Sequence, residues 1–208
     1  MRIERFSAAP DRAGRYRLEF EDGTVMRLYR QTAEDFGLYA GKELDEAELV
    51  KLREAAGQMS AKMRAVRIVS ASSVSRRDLE QRLVQKGEDP AQAKAAVKWM
   101  EDLDLIDDRK TAEQIVSRCA SKGYGLSRAK QALYEKMIPK QFWDEALADY
   151  PDQSDNILEF LREKLSDSQD SREVKRCIDA LIRRGHSYGQ IRRALDQLSL
   201  DADEFPED

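Results

Sequence analysis

The chain has little of what catalytic and metal centres are commonly built from. Its 208 residues include one histidine, His186, and two cysteines, Cys119 and Cys177. The cysteines lie far apart on stretches that read as helical, giving neither metal-ligand spacing nor a disulfide framework. A reduced, cytoplasmic protein follows as the simplest reading. His186 comes directly after Gly185, a helix-ending glycine, where a lone imidazole reads as a surface or capping residue with no base–nucleophile partnership. Asp104, Asp107 and Asp108 fit no Ca²⁺ loop, and Asp107-Asp108 suits anionic charge at a helix N-terminus. Gly123-Tyr124-Gly125 has no strand before it and no Lys-Ser/Thr after it, so it reads as a tight interhelical turn rather than a nucleotide loop. No enzyme, metal or other cofactor is expected.

Long apolar runs are also missing, and none approaches the ~20 residues that span a bilayer. Met1-Arg2-Ile3-Glu4-Arg5-Phe6 lacks the apolar core of a signal peptide, so no membrane partner is expected. Neither charge sign dominates: 36 Lys and Arg face 40 Asp and Glu, for a net charge of −4. That balance argues against coating bare nucleic acid, which needs a strongly basic footprint. Charged residues make up 37% of the chain, and mean hydropathy is −0.72. Periodic apolar positions nevertheless run through most of it, as in a folded helical protein with thin layers and much exposed surface.

What is present is a self-similarity. Leu83-Val84-Gln85-Lys86-Gly87 returns as Leu133-Tyr134-Glu135-Lys136-Met137, fifty residues on, and as Leu181-Ile182-Arg183-Arg184-Gly185 after forty-eight more. Ala93, Val97 and Met100 line up with Ile191, Leu195 and Leu198, while Trp143 and Leu147 hold the same stations in the middle copy. A fixed period of helical units implies stacked modules that bury their apolar faces only together. Such proteins bind other macromolecules along an extended surface.

The leader, 1–44, differs. Tyr16, Leu18 and Phe20 alternate with Arg17 and Glu19, and Asp22-Gly23 leads into Val25-Met26-Arg27-Leu28, which predicts a β-hairpin with Ile3 to Phe6 as a candidate third strand. Asp45 with Glu48 forms a capping box for a long helix that Gly57 is placed to break or bend. A first three-helix unit with this helix covers 45–105, a second 106–151 and a third 152–199. Expected helix starts are Ser75, Asp89-Pro90, Asp107-Asp108, Pro139, Asp155, Ser171 and Ser187, the last with Gln190 as a second capping box. The tail, 200–208, is acidic and expected to be disordered. Trp99 and Trp143 read as core wedges between helices.

Basic residues recur at related places: Arg76 and Arg77; Arg118, Lys122, Arg128 and Lys130; Arg183, Arg184, Arg192 and Arg193. Each alone suits a solvated helix face or a favourable charge at a helix C-terminus. As a recurring stripe they form a candidate surface for phosphates or an acidic protein groove. Tyr124 and Tyr188 sit in turns beside them, placed to stack or hydrogen-bond.

Three motifs in order, Leu105-Ile106-Asp107-Asp108-Arg109-Lys110-Thr111-Ala112, Lys122-Gly123-Tyr124-Gly125 and Arg183-Arg184-Gly185-His186-Ser187-Tyr188, resemble the RecX family, regulators of the RecA recombinase. The likeness covers roughly residues 60–198. It departs from the family pattern at Thr111, usually aromatic, at Leu126, usually proline, and at Met137, usually glycine. The resemblance implies tandem three-helix repeats in an elongated, curved body that lies in the groove of the RecA–single-stranded DNA filament. It also implies restraint of filament extension, ATP hydrolysis and strand exchange, and hence a part in recombination, DNA repair and the SOS response. The expected form is a monomer whose direct contact with DNA is weak. Two other readings stay open at this stage: a helical DNA-binding protein that acts without RecA, and a helical-repeat scaffold for another protein.

Overall fold

The alternating leader folds as a three-stranded antiparallel sheet in the order β1 (Ile3–Phe6), β2 (Arg15–Phe20), β3 (Val25–Tyr29). Gly23 turns the β2–β3 hairpin at a φ of 80°, and the Asp22 carboxylate accepts the Thr24 N–H at 2.9 Å. Because side chains alternate across a strand, Leu18, Phe20 and Leu28 share one face with Ile3. All four are fully buried. The computed structural model describes residues 1–165 and 170–198; the acidic tail, 200–208, lies outside them. The remaining architecture is helical, in two compact units, Met1–Asp107 and Asp108–Asp208.

In the first unit a short helix α1 (Arg30–Asp35) precedes α2 (Glu46–Ala71). The predicted capping box opens α2: Asp45 accepts the Glu48 N–H at 2.7 Å and Glu48 accepts the Asp45 N–H at 3.0 Å. Leu49, Leu52 and Ala56 close over the sheet. Further along, Ala61 and Ala65 pack with α3 (Arg76–Gln85) and α4 (Pro90–Asp102) around Leu79, Leu83, Ala93, Ala96 and Met100. Gly57 does not break α2, which runs on through it to Ala71. It makes room for the Gln92 side chain of α4, which a Cβ at 57 would strike. Trp99 is only partly buried at the edge of this core, under the Lys62 ammonium at 5.2 Å.

The second unit holds α5 (Asp108–Ser121), α6 (Leu126–Glu135), a 3₁₀ turn at Lys140–Phe142 and α7 (Trp143–Leu147). These pack around Ala112, Val116, Leu133 and Ile138. Then α8 (Ser154–Lys164), α9 (Ser171–Arg183) and α10 (Tyr188–Gln197) enclose a second core of Ile157, Leu161, Ile178, Leu181, Ile191 and Leu195. Three helix starts depart from expectation. Asp170 rather than Ser171 caps α9, accepting the Arg172 N–H at 3.0 Å. Gln153 occupies the cap of α8, so Asp155 falls in the first turn. Pro139 opens the 3₁₀ turn rather than an α-helix. Trp143 is half-buried and donates its indole N–H to the Ile138 carbonyl at 3.0 Å.

The periodic anchor becomes a recurring helix stop. Gly87, Met137 and Gly185 all take positive φ, at 89°, 54° and 86°. In each case the next N–H returns to the carbonyl of the anchor leucine: Glu88 to Leu83 at 3.1 Å, Ile138 to Leu133 at 3.0 Å and His186 to Leu181 at 3.2 Å. This is the Schellman pattern, which satisfies carbonyls a helix end otherwise leaves unpaired. Met137 adopts it without being glycine, and so carries left-handed strain.

Candidate partner-binding surface

Two of the motifs meet in the second unit. After α5, Gly123 takes a φ of 67° and the Tyr124 N–H returns to the Cys119 carbonyl at 3.0 Å, turning the chain sharply into α6. Gly125 stands at the N-cap of α6 without a side chain to cap it. The cap comes from the C-terminal end of α9. Gly125 donates its N–H to the Arg184 carbonyl at 2.9 Å, and Ser127 donates to the Gly185 carbonyl at 3.3 Å. Orphan donors of one helix thus meet orphan acceptors of another, with opposite ends of the two dipoles together. The approach depends on glycine, since a Cβ at 125 would strike the Gly185 carbonyl and one at 185 the backbone of Arg128.

The Lys122–Gly125 turn is held from two further directions. The Tyr150 hydroxyl donates to the Tyr124 carbonyl at 2.6 Å, and burial pushes its pKa up to about 12, so it stays a donor. His186, read from the sequence as a surface or capping residue, is buried, only 5% exposed. Burial holds its pKa below the ordinary value, partly opposed by a hydrogen bond to the Gly123 backbone, and its Nδ1 has no partner. An imidazole in that position is neutral and structural.

This junction places cations together. A cavity of about 550 Å³ is lined by Lys122, Tyr124, Arg128, Ala180, Arg183 and Arg184, with no carboxylate in its wall. Arg128 shares its guanidinium with Glu135 at 3.0 Å. Arg184 lies over the Phe160 ring at 4.3 Å, which fixes a charge on an otherwise exposed side chain. Lys122 and Arg183 are exposed and have no carboxylate partner among the described residues. A concave wall of guanidinium and ammonium groups with a phenol suits an anionic group that accepts several hydrogen bonds, a phosphate or a carboxylate-rich segment.

The other expected contacts are distributed differently. Arg118, on the last turn of α5, and Lys130, on α6, are exposed but do not line this cavity. Tyr188 packs partly against the core of the last three helices. Arg192 is half-buried, and Arg193 donates to the Gly189 carbonyl at 3.1 Å. Arg76 and Arg77 belong to the first unit, Arg77 exposed and Arg76 bonded to Glu101 at 2.6 Å. Among the described residues, no group of three or more His, Cys, Asp or Glu side chains is placed to hold a metal ion, and no helix is long and apolar enough to cross a membrane.

No protein-family model matches the chain. Individual proteins do. The chain is 30% identical over 137 residues to the regulatory protein RecX of Chlorobium phaeobacteroides, covering 64% of this chain and 90% of that one. It is 24% identical over 210 residues to the regulatory protein RecX of Clostridioides difficile, covering 98% and 97%. A crystal structure of a regulatory protein RecX superposes with a TM-score of 0.62 at 20% identity, over 94% of this chain and 98% of that one. At that identity the superposition speaks for the fold.

Proposed function

The chain belongs to the RecX family, and from that premise we propose that it is a non-catalytic regulator of RecA that docks on the RecA–single-stranded DNA filament. The observation that carries this reading is the convergence of Lys122, Arg128, Arg183 and Arg184 on one cavity, built where two of the family-like motifs meet. Bound in the filament groove, with its three-helix repeats spanning neighbouring subunits, the protein limits filament extension, ATP hydrolysis and strand exchange. The cavity cations supply polar contacts, and the net charge of −4 suits a nucleoprotein surface better than naked DNA.

The test is DNA-dependent ATP hydrolysis by RecA, with this protein titrated below RecA stoichiometry. Loss of turnover at substoichiometric ratios is expected. Unchanged turnover alongside tight, salt-sensitive binding to bare DNA would replace this reading with an independent DNA binder. Unchanged turnover without DNA binding would leave a scaffold for another protein.

A further inference from the structure

The basic cavity does not end at its cationic wall. A second hollow of about 310 Å³ adjoins it, and Lys122 and Arg184 line both. Much of the remaining lining comes from α8, through Asn156, Glu159 and Phe160, and from His186. We propose that the two hollows together form a guanosine phosphate site, with the phosphate on the cations of the first and guanine in the second.

Charge sorts the two ends of the ligand. The first hollow has four cations and no carboxylate, whereas the second brings in Glu159 and Glu163. A wholly anionic peptide suits the first and is repelled at the second. What fits both has an anion at one end and hydrogen-bond donors at the other. Glu163 is engaged with Lys164 at 2.9 Å. Glu159 is exposed and has no cation partner among the described residues. Such a carboxylate accepts two parallel N–H bonds. Guanine sets two donors, N1–H and the N2 amine, side by side on its Watson–Crick edge, whereas adenine and cytosine place an acceptor nitrogen beside the amine. The lining also holds an acceptor without a donor: His186 has one ring nitrogen at the Gly123 backbone and its Nδ1 unpartnered. A platform for the base is present too. Arg184 lies over the Phe160 ring at 4.3 Å and is exposed, which leaves its opposite face for a base to stack on. Base and phosphate are thus met by the same side chain. The site does not rest on the RecA reading, which bears only on whether the nucleotide is met free or within a single strand.

Binding measured on the full chain without RecA decides it. Calorimetric titration with guanosine and adenosine monophosphate tests the free nucleotide, and anisotropy of labelled oligothymidylates carrying one central dG or dA tests the strand. The guanine ligand is expected to bind roughly tenfold tighter than the adenine one, the discrimination a bidentate pair gives. A preference confined to the monophosphates assigns a free nucleotide, and one carried by the strands at tighter binding assigns a strand. Glu159→Gln should lower guanine binding to the level of adenine, and Arg184→Ser should weaken both. His186 is the only histidine, so its imidazole ¹⁵N signals report on the second hollow without ambiguity, and guanosine monophosphate should shift them. Equal binding of guanine and adenine, a preference that survives Glu159→Gln, or an unmoved imidazole at saturation would overturn the site. Absence of binding by every probe would overturn it as well and leave the hollows to a protein ligand. Guanine binding in a protein without effect on RecA ATP hydrolysis would strike the partner reading alone.

Discussion

Gly125 lies so close to Gly185 that a Cβ on either would strike the backbone carried by the other's segment. The pair lets the N-terminal end of α6 cap itself on the C-terminal carbonyls of α9, through the bonds from Gly125 to Arg184 and from Ser127 to Gly185. The basic cavity is a consequence of that contact, because Lys122, Arg128, Arg183 and Arg184 flank the two glycines.

Alanine at either glycine should therefore cost stability. Gly125→Ala overpacks a backbone contact, a change worth about 1–3 kcal/mol. Gly185→Ala adds left-handed strain of roughly 1 kcal/mol, since Gly185 has a φ of 86°. Urea titration followed by circular dichroism should show both midpoints falling. The double variant should lose less than the sum, because the second methyl enters a junction already forced apart. Full additivity would mean that the two glycines do not share one contact.

Met137 offers the opposite experiment. Its φ of 54° places it in the left-handed region at the same helix stop where Gly87 and Gly185 stand. Relief of about 1–2 kcal/mol of strain, less the extra unfolded-state freedom of glycine at about 0.5–1 kcal/mol, leaves a net gain near 0.5–1 kcal/mol for Met137→Gly. The urea midpoint should rise with the slope unchanged. A lower midpoint would show that the half-buried methionine side chain contributes more than the strain costs.

Helix boundaries and stops are legible in the sequence because their signals are local: the Asp45–Glu48 and Ser187–Gln190 boxes, the Ser75 cap, and the glycines after Lys86 and Arg184 all lie within one turn of the helix ends they define. Where several polar residues crowd one start, local chemistry leaves a choice, and the cap moved from Ser171 to Asp170. The candidate site was legible only in part. Its cations stand out as clusters, yet which of them converge depends on the Gly125–Gly185 contact, made between residues sixty positions apart. Nothing near His186 announces its burial, and the hydrogen bond it shares is with the backbone of Gly123, far away in the sequence.

His186 makes the fold pH-sensitive in a definite direction. Burial, the largest cause, lowers its folded-state pKa below the ordinary 6.5. The unfolded chain therefore binds a proton more readily than the folded one, so this contribution is fully present above pH 6.5 and is lost as pH falls through and below it. Unfolding free energy measured from pH 7.5 downward should decline from about 6.5. In His186→Gln that decline should shrink, whatever the variant's absolute stability. An equal slope in both proteins would assign the acid sensitivity to other groups.

Cys119 and Cys177 are buried, and burial raises both thiol pKa values. Access and thiolate fraction both limit alkylation, so iodoacetamide should modify the native protein far more slowly than the urea-unfolded chain. Rates that follow the population of opened protein across a urea series are expected for both sites. Rapid native modification of Cys177 would place it on a surface the fold does not show.

The four arginines of the last basic cluster should separate into two pairs. Arg183 and Arg184 line the cavity, whereas Arg192 and Arg193 lie outside its lining and Arg193 is turned back to its own helix at the Gly189 carbonyl. If the cavity is the contact surface, Arg183→Glu with Arg184→Glu should abolish most of the effect on RecA ATP hydrolysis, while Arg192→Glu with Arg193→Glu retains most of it. The first variant should stay folded, since Arg183 and Arg184 are exposed and the Arg184–Phe160 contact is worth only about 0.5–1 kcal/mol; circular dichroism checks the fold of the second, in which Arg192 is half-buried. A matched loss from both pairs would point to diffuse electrostatic attraction, and a loss confined to the second pair would move the contact surface onto α10. Salt separates these outcomes further. A diffuse attraction weakens throughout as ionic strength rises, whereas a desolvated contact in the cavity is screened less and keeps the gap between the two variants open.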